Sequence, residues 1–252
     1  MLYGMFSVGK TVLVGTTPGR VLIIRPPTDH TQSIPRPHQG LEEWVSKDWD
    51  EMDEIGEFLR LEGHVHYDWV WLDSISLWQD VGLDDIWDAT KAHNSARNVK
   101  WAGKDKGEYG RNMDRLSEWL RQTVSLDSFN FGITAHPTDK LHDPTGNRRM
   151  MPWVQGKGMA VGACGMMTLV AYYEVRFPEK GEPYRLLHTD STDDFFCKNQ
   201  YAEPGKPWLP LKNPDMPAIL KKVNASRSER SKTRGNNSIP AGRRRRAVKG
   251  AA

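Results

Sequence analysis

Close to its start the sequence reads Gly4-Met5-Phe6-Ser7-Val8-Gly9-Lys10-Thr11, which fits the pattern G-x-x-x-x-G-K-[ST]. In this pattern the backbone N–H groups of a glycine-rich turn surround phosphate oxygens, while the lysine reaches the outer phosphates and the hydroxyl reaches Mg²⁺. We therefore predict that Lys10 contacts the β and γ phosphates of a nucleotide and that Thr11 ligates Mg²⁺. The residues assigned to phosphate binding are Gly4, Ser7, Val8, Gly9, Lys10 and Thr11.

The sequence around this motif predicts a strand, the turn and a helix in that order. Residues 11–14 suit a short helix that Thr17-Pro18-Gly19 ends, and residues 21–24 form a buried-strand run. Upstream, only residues 1–3 are available for the strand that precedes such a turn. Either so short a strand is enough, or the native chain begins further upstream. The alternative to a phosphate site is a glycine-rich turn before an ordinary helix.

Length and composition favour one α/β domain with a short appendage. The chain has 252 residues, two cysteines and a net charge of +3. Two cysteines are too few for a disulfide scaffold or a cysteine-based zinc site, and the sequence lacks the run of about 18 apolar residues that spans a membrane. We predict a domain at 1–223 and a tail at 224–252. With no secretory leader visible, we expect a cytoplasmic protein without a membrane partner.

The positive charge is concentrated at the C-terminus. Residues 225–252 contain nine Lys or Arg and one acid, a net charge of +8, so the remaining 224 residues sum to −5. A segment of Ser, Asn, Gly and Arg buries too little apolar surface to offset its ordering entropy, so we predict a disordered basic tail. Its charge favours nucleic acid, because bound cations release counterions. The alternative is a tail that only increases solubility.

Two aspartates follow predicted strands. Residues 67–72 read as a buried strand that leads into Asp73, the pattern of the acid that holds Mg²⁺ in P-loop enzymes. Asp29 follows the strand at 21–24, where open α/β sheets bind ligands. Asp29 is therefore a candidate for positioning or deprotonating water. A turn-forming aspartate is the alternative for Asp29.

A histidine ends a further predicted strand. Residues 129–135 read as a core strand, and His136 comes directly after it. If this strand lies between the strands that lead to Gly4 and Asp73, His136 faces the γ-phosphate and senses its loss. A structural histidine is the alternative. The glycine-rich segment at 137–165 starts immediately afterwards, so nucleotide state would order or release it.

The middle of the chain combines helical patterns with a segment that reads as irregular. Residues 49–59 and 108–126 each repeat apolar side chains at helical spacing. Residues 79–107 are polar and carry six basic or histidine side chains around Trp101, which suits a mobile loop whose aromatic side chain stacks on single-stranded DNA. The alternative is a solvated surface excursion.

The last third of the domain predicts strands and one short helix. Residues 168–177 and 184–188 are strands on either side of a turn that contains Pro178 and Gly181, which predicts a β-hairpin extension. Lys198 comes just after an apolar run. Residues 214–223 allow one short helix before the tail.

Taken in order, these segments resemble a known family. The segments that carry the resemblance are the turn at 4–11, Val-Leu-Ile-Ile at 21–24, Tyr-Asp-Trp-Val-Trp-Leu-Asp-Ser at 67–74, Glu-Tyr-Gly at 108–110, Ile-Thr-Ala-His at 133–136 and Phe-Phe-Cys-Lys-Asn-Gln-Tyr at 195–201. Over residues 1–223 the chain resembles the RecA-like ATPases of phages. More narrowly it is similar to the phage branch near RadA, single-domain proteins that assist single-strand annealing and recombination.

The resemblance implies a RecA-like P-loop core, with a mainly parallel sheet flanked by helices, that binds ATP and Mg²⁺. It implies Lys10 and Thr11 as phosphate and Mg²⁺ ligands, Asp73 as the second Mg²⁺ residue, and His136 as the γ-phosphate sensor. The segments at 79–107 and 137–165 correspond to the two DNA-binding loops of such proteins. Lys198 resembles a cation that reaches the nucleotide of a neighbouring subunit, which implies a homo-oligomer.

Two departures from the family pattern leave other functions open. The strand at 21–24 is followed by Arg-Pro-Pro-Thr-Asp rather than by the water-activating glutamate, so hydrolysis is slow or Asp29 substitutes. Gln200 stands where a second trans-acting cation is found in RadA-like proteins. The alternatives to an ATPase acting on single-stranded DNA are a nucleotide-dependent DNA-binding module without turnover and a P-loop kinase of small molecules.

Overall fold

Short buried strands alternate with helices along most of the chain. The computed structural model describes residues 1–35, 39–96, 104, 106–138 and 141–236. The strands are β1 Leu2–Tyr3, β2 Val21–Arg25, β3 Leu41–Val45, β4 Trp69–Leu72, β5 Asn130–Ala135, β6 Leu141–His142, β7 Arg148–Arg149, β8 Leu169–Arg176, β9 Tyr184–His188, β10 Lys198–Asn199 and β11 Leu211–Lys212. The helices are α1 Lys10–Val14, α2 Trp49–Leu61, α3 Gly63–His66, α4 Ile75–Ala96, α5 Lys106–Val124, α6 Lys157–Met166 and α7 Met216–Asn236.

The main sheet is parallel over most of its width. Its order is β3-β2-β4-β5-β1-β8-β9-β11, with β10 paired to β8. Along this order, each pair of neighbours in β3-β2-β4-β5-β1-β8 is parallel. Strands β9 and β10 pair antiparallel with β8, and β11 pairs antiparallel with β9. Because the carboxyl ends of parallel strands meet at one edge, the residues that follow β1, β2, β4 and β5 are brought together. The predicted α/β fold with a mainly parallel sheet flanked by helices is confirmed, and it is compatible with a RecA-like core.

Alternate strand residues pack on opposite faces of the sheet. On one face, Leu22 and Ile24 belong to a large core formed with α2, α4, α5 and α6. On the other face, Val21 and Ile23 belong to a smaller core to which α1 and α7 contribute. Strand β1 has only two residues, yet Tyr3 is fully buried, so the short strand is sufficient. Among the described residues, no helix combines the length and hydrophobicity needed to cross a bilayer.

The prediction of an irregular segment at 79–107 is wrong for residues 79–96, because these residues belong to α4. Ile75, Trp78, Gln79 and Leu83 are buried at helical spacing, and this stripe packs α4 onto the core although most of its other side chains are polar. The basic and aromatic residues at 97–103, including Trp101, lie outside the described residues.

Two further segments are more regular than the sequence predicted. The segment at 137–165 contains the antiparallel pair β6 and β7 and most of α6. Ala160 and Ala163 of α6 are fully buried, so small residues that suggested a loop instead allow close packing. Helix α7 continues to Asn236, well beyond the short helix predicted at 214–223. Residues 237–252 of the predicted disordered tail lie outside the described residues.

Contacts with the domain explain why α7 extends into the segment assigned to the tail. Arg230 donates from Nη1 to the Gln200 carbonyl at 2.5 Å and from Nη2 to the Ala202 carbonyl at 2.5 Å. Arg227 donates from Nη2 to the Tyr201 hydroxyl at 3.2 Å. Two of the tail's cations therefore hold α7 against residues 200–202.

Candidate functional site

The turn between β1 and α1 has the backbone shape of an anion cradle. Ser7 and Gly9 have φ angles of 60° and 94°, so two left-handed residues curl the chain, and turns of this kind can present successive backbone N–H groups to an anion. A Cβ atom on Gly4 would lie 2.1 Å from the Tyr173 carbonyl oxygen, so only glycine fits there. Helix α1 has five residues, so an anion would depend on the turn's N–H groups and on Lys10 more than on a helix dipole.

Lys10 is buried inside this turn, with 7% of its surface exposed. Its Nζ donates to the carbonyls of Gly4 at 2.8 Å and Met5 at 2.9 Å. Burial lowers the pKa of Lys10 to about 8, against the opposing effect of the nearby charges of Asp73 and Asp29. The turn therefore holds a cation that burial disfavours and that a bound anion would stabilise.

Asp73 follows β4 and lies next to Thr11. Its carboxylate is buried and accepts a hydrogen bond from the hydroxyl of Thr134 on β5. Burial raises the pKa of Asp73, while hydrogen bonds from Thr134 and Thr11 and the charge of Lys10 favour its ionised form. The structure therefore brings Thr11, Asp73 and Lys10 together from positions about 60 residues apart in the chain.

The donor set suits Mg²⁺ bound with a nucleotide. Mg²⁺ prefers oxygen ligands and is usually held by one or two protein side chains together with phosphates and waters. The Thr11 hydroxyl and the Asp73 carboxylate provide such oxygens beside a phosphate-shaped turn. Among the described residues, no group of three or more His, Cys, Asp or Glu side chains is placed to hold a metal ion.

Asp29 is held at the same edge of the sheet. Its backbone N–H donates to the Pro26 carbonyl at 3.1 Å, and its carbonyl accepts from Nη1 of Arg25 at 2.8 Å. The side chain is half-buried and accepts from the N–H of His30 at 2.9 Å. Its charge raises the pKa values of both Lys10 and Asp73, so Asp29 lies within electrostatic range of the site.

His136 faces the turn from the neighbouring strand, because β5 lies between β1 and β4. The condition that the sequence set for a phosphate-facing His136 is therefore met. Its ring centroid lies 4.2 Å from that of Phe6, and its buried Nδ1 has no hydrogen-bond partner within the described part of the chain. Burial, reinforced by the charge of Lys10, lowers the pKa of His136 to about 4. The imidazole is therefore neutral at neutral pH.

The segment after His136 is fastened to the same strand end. The His136 carbonyl accepts from the N–H of Trp153 at 2.6 Å, and the Ser76 hydroxyl donates to the Trp153 carbonyl at 2.7 Å. Between these points, the buried Asp143 accepts from Nη1 of Arg149 at 2.6 Å and organises the β6–β7 pair. The segment at 137–165 is therefore hydrogen-bonded to the strand end at His136.

Lys198 lies at the opposite edge of the sheet from the turn. Strand β10 pairs with β8 at Val170 and Leu169, the end of β8 that also contacts Met1. Nζ of Lys198 donates to the Gly165 carbonyl at 2.7 Å and the Cys164 carbonyl at 3.3 Å, the last turn of α6. Within its own subunit, Lys198 is thus separated from Lys10 and Asp73.

Three residues that shape this site were not among those predicted from the sequence. Thr134 carried a usable signal, since a hydroxyl in a buried strand needs a partner, and its partner is Asp73. The exposed Phe6, which contacts His136, and Arg185, whose Nε donates to the Val8 carbonyl at 2.8 Å, carried none. Arg185 lies 177 positions from Val8, so only the folded chain shows the contact.

Beside the turn lies a cavity of about 250 Å³. Its lining includes Gly9, Val12, Thr16, Arg185 and Asn213. The cavity therefore adjoins the turn between β1 and α1.

Comparison with known proteins gives no sequence relative but does give structural similarity. No protein-family model matches the sequence, and no curated protein matches it. The chain is similar to the crystal structure of flagellar accessory protein FlaH from Methanocaldococcus jannaschii, with a TM-score of 0.40 and 13% sequence identity. That alignment covers 84% of this chain and 82% of FlaH.

Proposed function

We propose that this chain is an ATP-binding, ATP-hydrolysing protein with a RecA-like core that acts on single-stranded DNA in phage recombination or replication. The observation that carries the proposal is the convergence of Lys10, Thr11 and Asp73 at one edge of the sheet, around a turn shaped for phosphate. Each of these residues is of the type that triphosphate and Mg²⁺ binding requires.

Catalysis in this proposal is mainly electrostatic. Lys10 leaves its carbonyl partners and donates to the outer phosphates, where negative charge accumulates in the transition state. Thr11 and Asp73 would hold Mg²⁺, which would supply neutralising charge to the β and γ phosphates. Asp29, whose charge acts on both Lys10 and Asp73, would orient the attacking water.

His136 reports the γ-phosphate to the segment that follows it. A neutral imidazole with an unpartnered Nδ1 can donate to or accept from a ligand at this strand end. The hydrogen bond from Trp153 to the His136 carbonyl then carries the displacement to residues 137–165. This segment is the proposed nucleotide-gated contact with DNA.

The partners in the proposal follow from charge and position. The net charge of +8 at 225–252, on a domain of charge −5, favours a polyanion. Lys198 is half-exposed at the edge opposite the turn, so in a head-to-tail homo-oligomer it would approach the nucleotide of the next subunit.

The test measures phosphate release and DNA retardation on the full chain. We expect Mg·ATP turnover that single-stranded DNA stimulates, with a rate per subunit that rises with protein concentration in the wild type and not in Lys198→Met. A variant with all of Arg243, Arg244, Arg245 and Arg246 replaced by Gln should bind DNA with a smaller salt dependence and keep its response to ATP. Absence of Mg·ATP binding would refute the proposal, and ATP-independent retardation would refute nucleotide gating.

One observation favours a second candidate, a nucleotide-dependent DNA-binding module without turnover. The acid after β2 is Asp29 rather than a glutamate, and its carboxylate already accepts a hydrogen bond from the adjacent backbone. ATP-dependent retardation without phosphate release in either the presence or the absence of DNA would select this candidate.

A further inference from the structure

An arginine far away in the sequence contacts the outside of the phosphate-binding turn. Arg185, on β9, donates from Nε to the Val8 carbonyl at 2.8 Å. A Cβ atom on Gly9 would lie 2.9 Å from the same Nε, so the guanidinium is in close contact with the next residue as well. We propose that Arg185 is a positioning residue for nucleotide binding, which fixes the orientation of the Val8–Gly9 peptide.

The geometry of the peptide unit gives the reason. In a planar trans peptide, the C=O of one residue and the N–H of the next point in opposite directions. Arg185 holds the Val8 C=O outward, so the N–H of Gly9 points into the turn, where a phosphate oxygen would lie. Gly9 has a φ of 94°, and glycine populates positive and negative φ about equally, so an external contact on the neighbouring carbonyl selects one of the two arrangements.

The backbone of Arg185 is held in place by hydrogen bonds to Asn213. The Arg185 N–H donates to Oδ1 of Asn213 at 2.7 Å, and the Asn213 N–H donates to the Arg185 carbonyl at 2.8 Å. At the start of α7, the Met216 N–H donates at 2.9 Å to the hydroxyl of Thr16, which lies just after α1. The β9–β11 pair and the start of α7 therefore hold the turn and α1 from outside, and Arg185 is the member of this group that contacts the turn.

Two substitutions separate the hydrogen bond from the charge. In Arg185→Gln, the amide Nε2 lies the same number of bonds from Cα as the arginine Nε, so the donor to Val8 remains while the charge is lost. Arg185→Met has a similar length and no donor. We expect Arg185→Met to weaken Mg·ATP binding about tenfold, since a carbonyl loses a charge-assisted partner, and Arg185→Gln to remain within about threefold of wild type. Calorimetric titration measures both affinities.

A second measurement reports on the turn without nucleotide. Hydrogen exchange of the segment at 4–11 should be faster in Arg185→Met than in wild type and unchanged in Arg185→Gln. Arg185 is exposed, so wild type, Arg185→Met and Arg185→Gln should have similar thermal midpoints without nucleotide. Arg185→Ala serves as a second donor-free variant if Arg185→Met does not fold.

This inference rests on the proposed function, and the outcomes distinguish the two. If wild type fails to bind Mg·ATP, the proposed function is refuted. If wild type binds and both variants lose affinity equally, the guanidinium charge acts directly on the nucleotide and the positioning role is wrong. Equal affinity of wild type and Arg185→Met also overturns the positioning role while leaving the ATP site intact.

Discussion

Two lysines donate to backbone carbonyls at opposite edges of this sheet, and their surroundings give them different roles. Lys10 is buried in a tight turn and contacts the carbonyls of Gly4 and Met5. Lys198 is half-exposed and contacts the last carbonyls of α6, which have no partners within the helix. The same hydrogen bonds therefore stabilise the fold at Lys198, whereas at Lys10 they hold a disfavoured cation where an anion would bind.

Removal of the Lys10 side chain should have the largest effect on nucleotide binding. In Lys10→Met we expect loss of Mg·ATP binding by about a hundredfold or more, since several charge-assisted hydrogen bonds to phosphate disappear. Because burial lowers the pKa of Lys10 to about 8, its charged form opposes folding at pH 7. The urea midpoint without nucleotide should therefore stay the same or rise. Retained binding would show that the site is assigned wrongly, and a large loss of stability would refute the difference between the lysines.

His136 should make the free energy of unfolding depend on pH. Its folded pKa of about 4 lies below the ordinary value of 6.5, so the unfolded chain takes up a proton first as the pH falls. His136 therefore makes the fold less stable between pH 6.5 and 4, by about 2 to 3 kcal/mol over this range. Urea unfolding at pH 7 and pH 4.5 should show a smaller acid destabilisation in His136→Gln than in wild type.

A surface histidine provides the control for this measurement. His64 is exposed and lies outside the site, so His64→Gln removes a histidine without changing the strand end. Its acid destabilisation should match that of wild type. Equal behaviour of His136→Gln and wild type would show that His136 is not held neutral by its surroundings.

The grouping of the turn, Asp73, Asp29 and His136 at one end of the sheet was largely predictable from the sequence. Each of them follows a mostly apolar strand, and parallel strands bring their carboxyl ends together. The position of β5 between β1 and β4 was the one condition that the sequence could only assume. The contact between Thr11 and Asp73 follows from that arrangement.

Elements whose burial depends on one narrow stripe were harder to predict. Helix α4 buries Ile75, Trp78 and Leu83 among many polar side chains, so composition suggested a loop where spacing indicated a helix. Helix α7 gains its last turns from contacts of Arg227 and Arg230 with residues 200–202, which lie outside any local pattern. Tertiary contacts of this kind override composition and cannot be seen in one stretch of sequence.

Substitution of Lys198 should have a smaller effect than substitution of Lys10, and it should act on stability rather than on nucleotide binding. Lys198→Met should lower the free energy of unfolding by about 1 kcal/mol, because a cation that satisfies the C-terminal carbonyls of α6 is lost. Mg·ATP affinity in dilute protein should be unchanged, since Lys198 lies at the opposite edge of the sheet from the turn. Lys180→Met is the matched control, because Lys180 is exposed in the connection between β8 and β9 and its loss should leave the urea midpoint unchanged. A fall in ATP affinity without a fall in stability would show that Lys198 belongs with Lys10 after all.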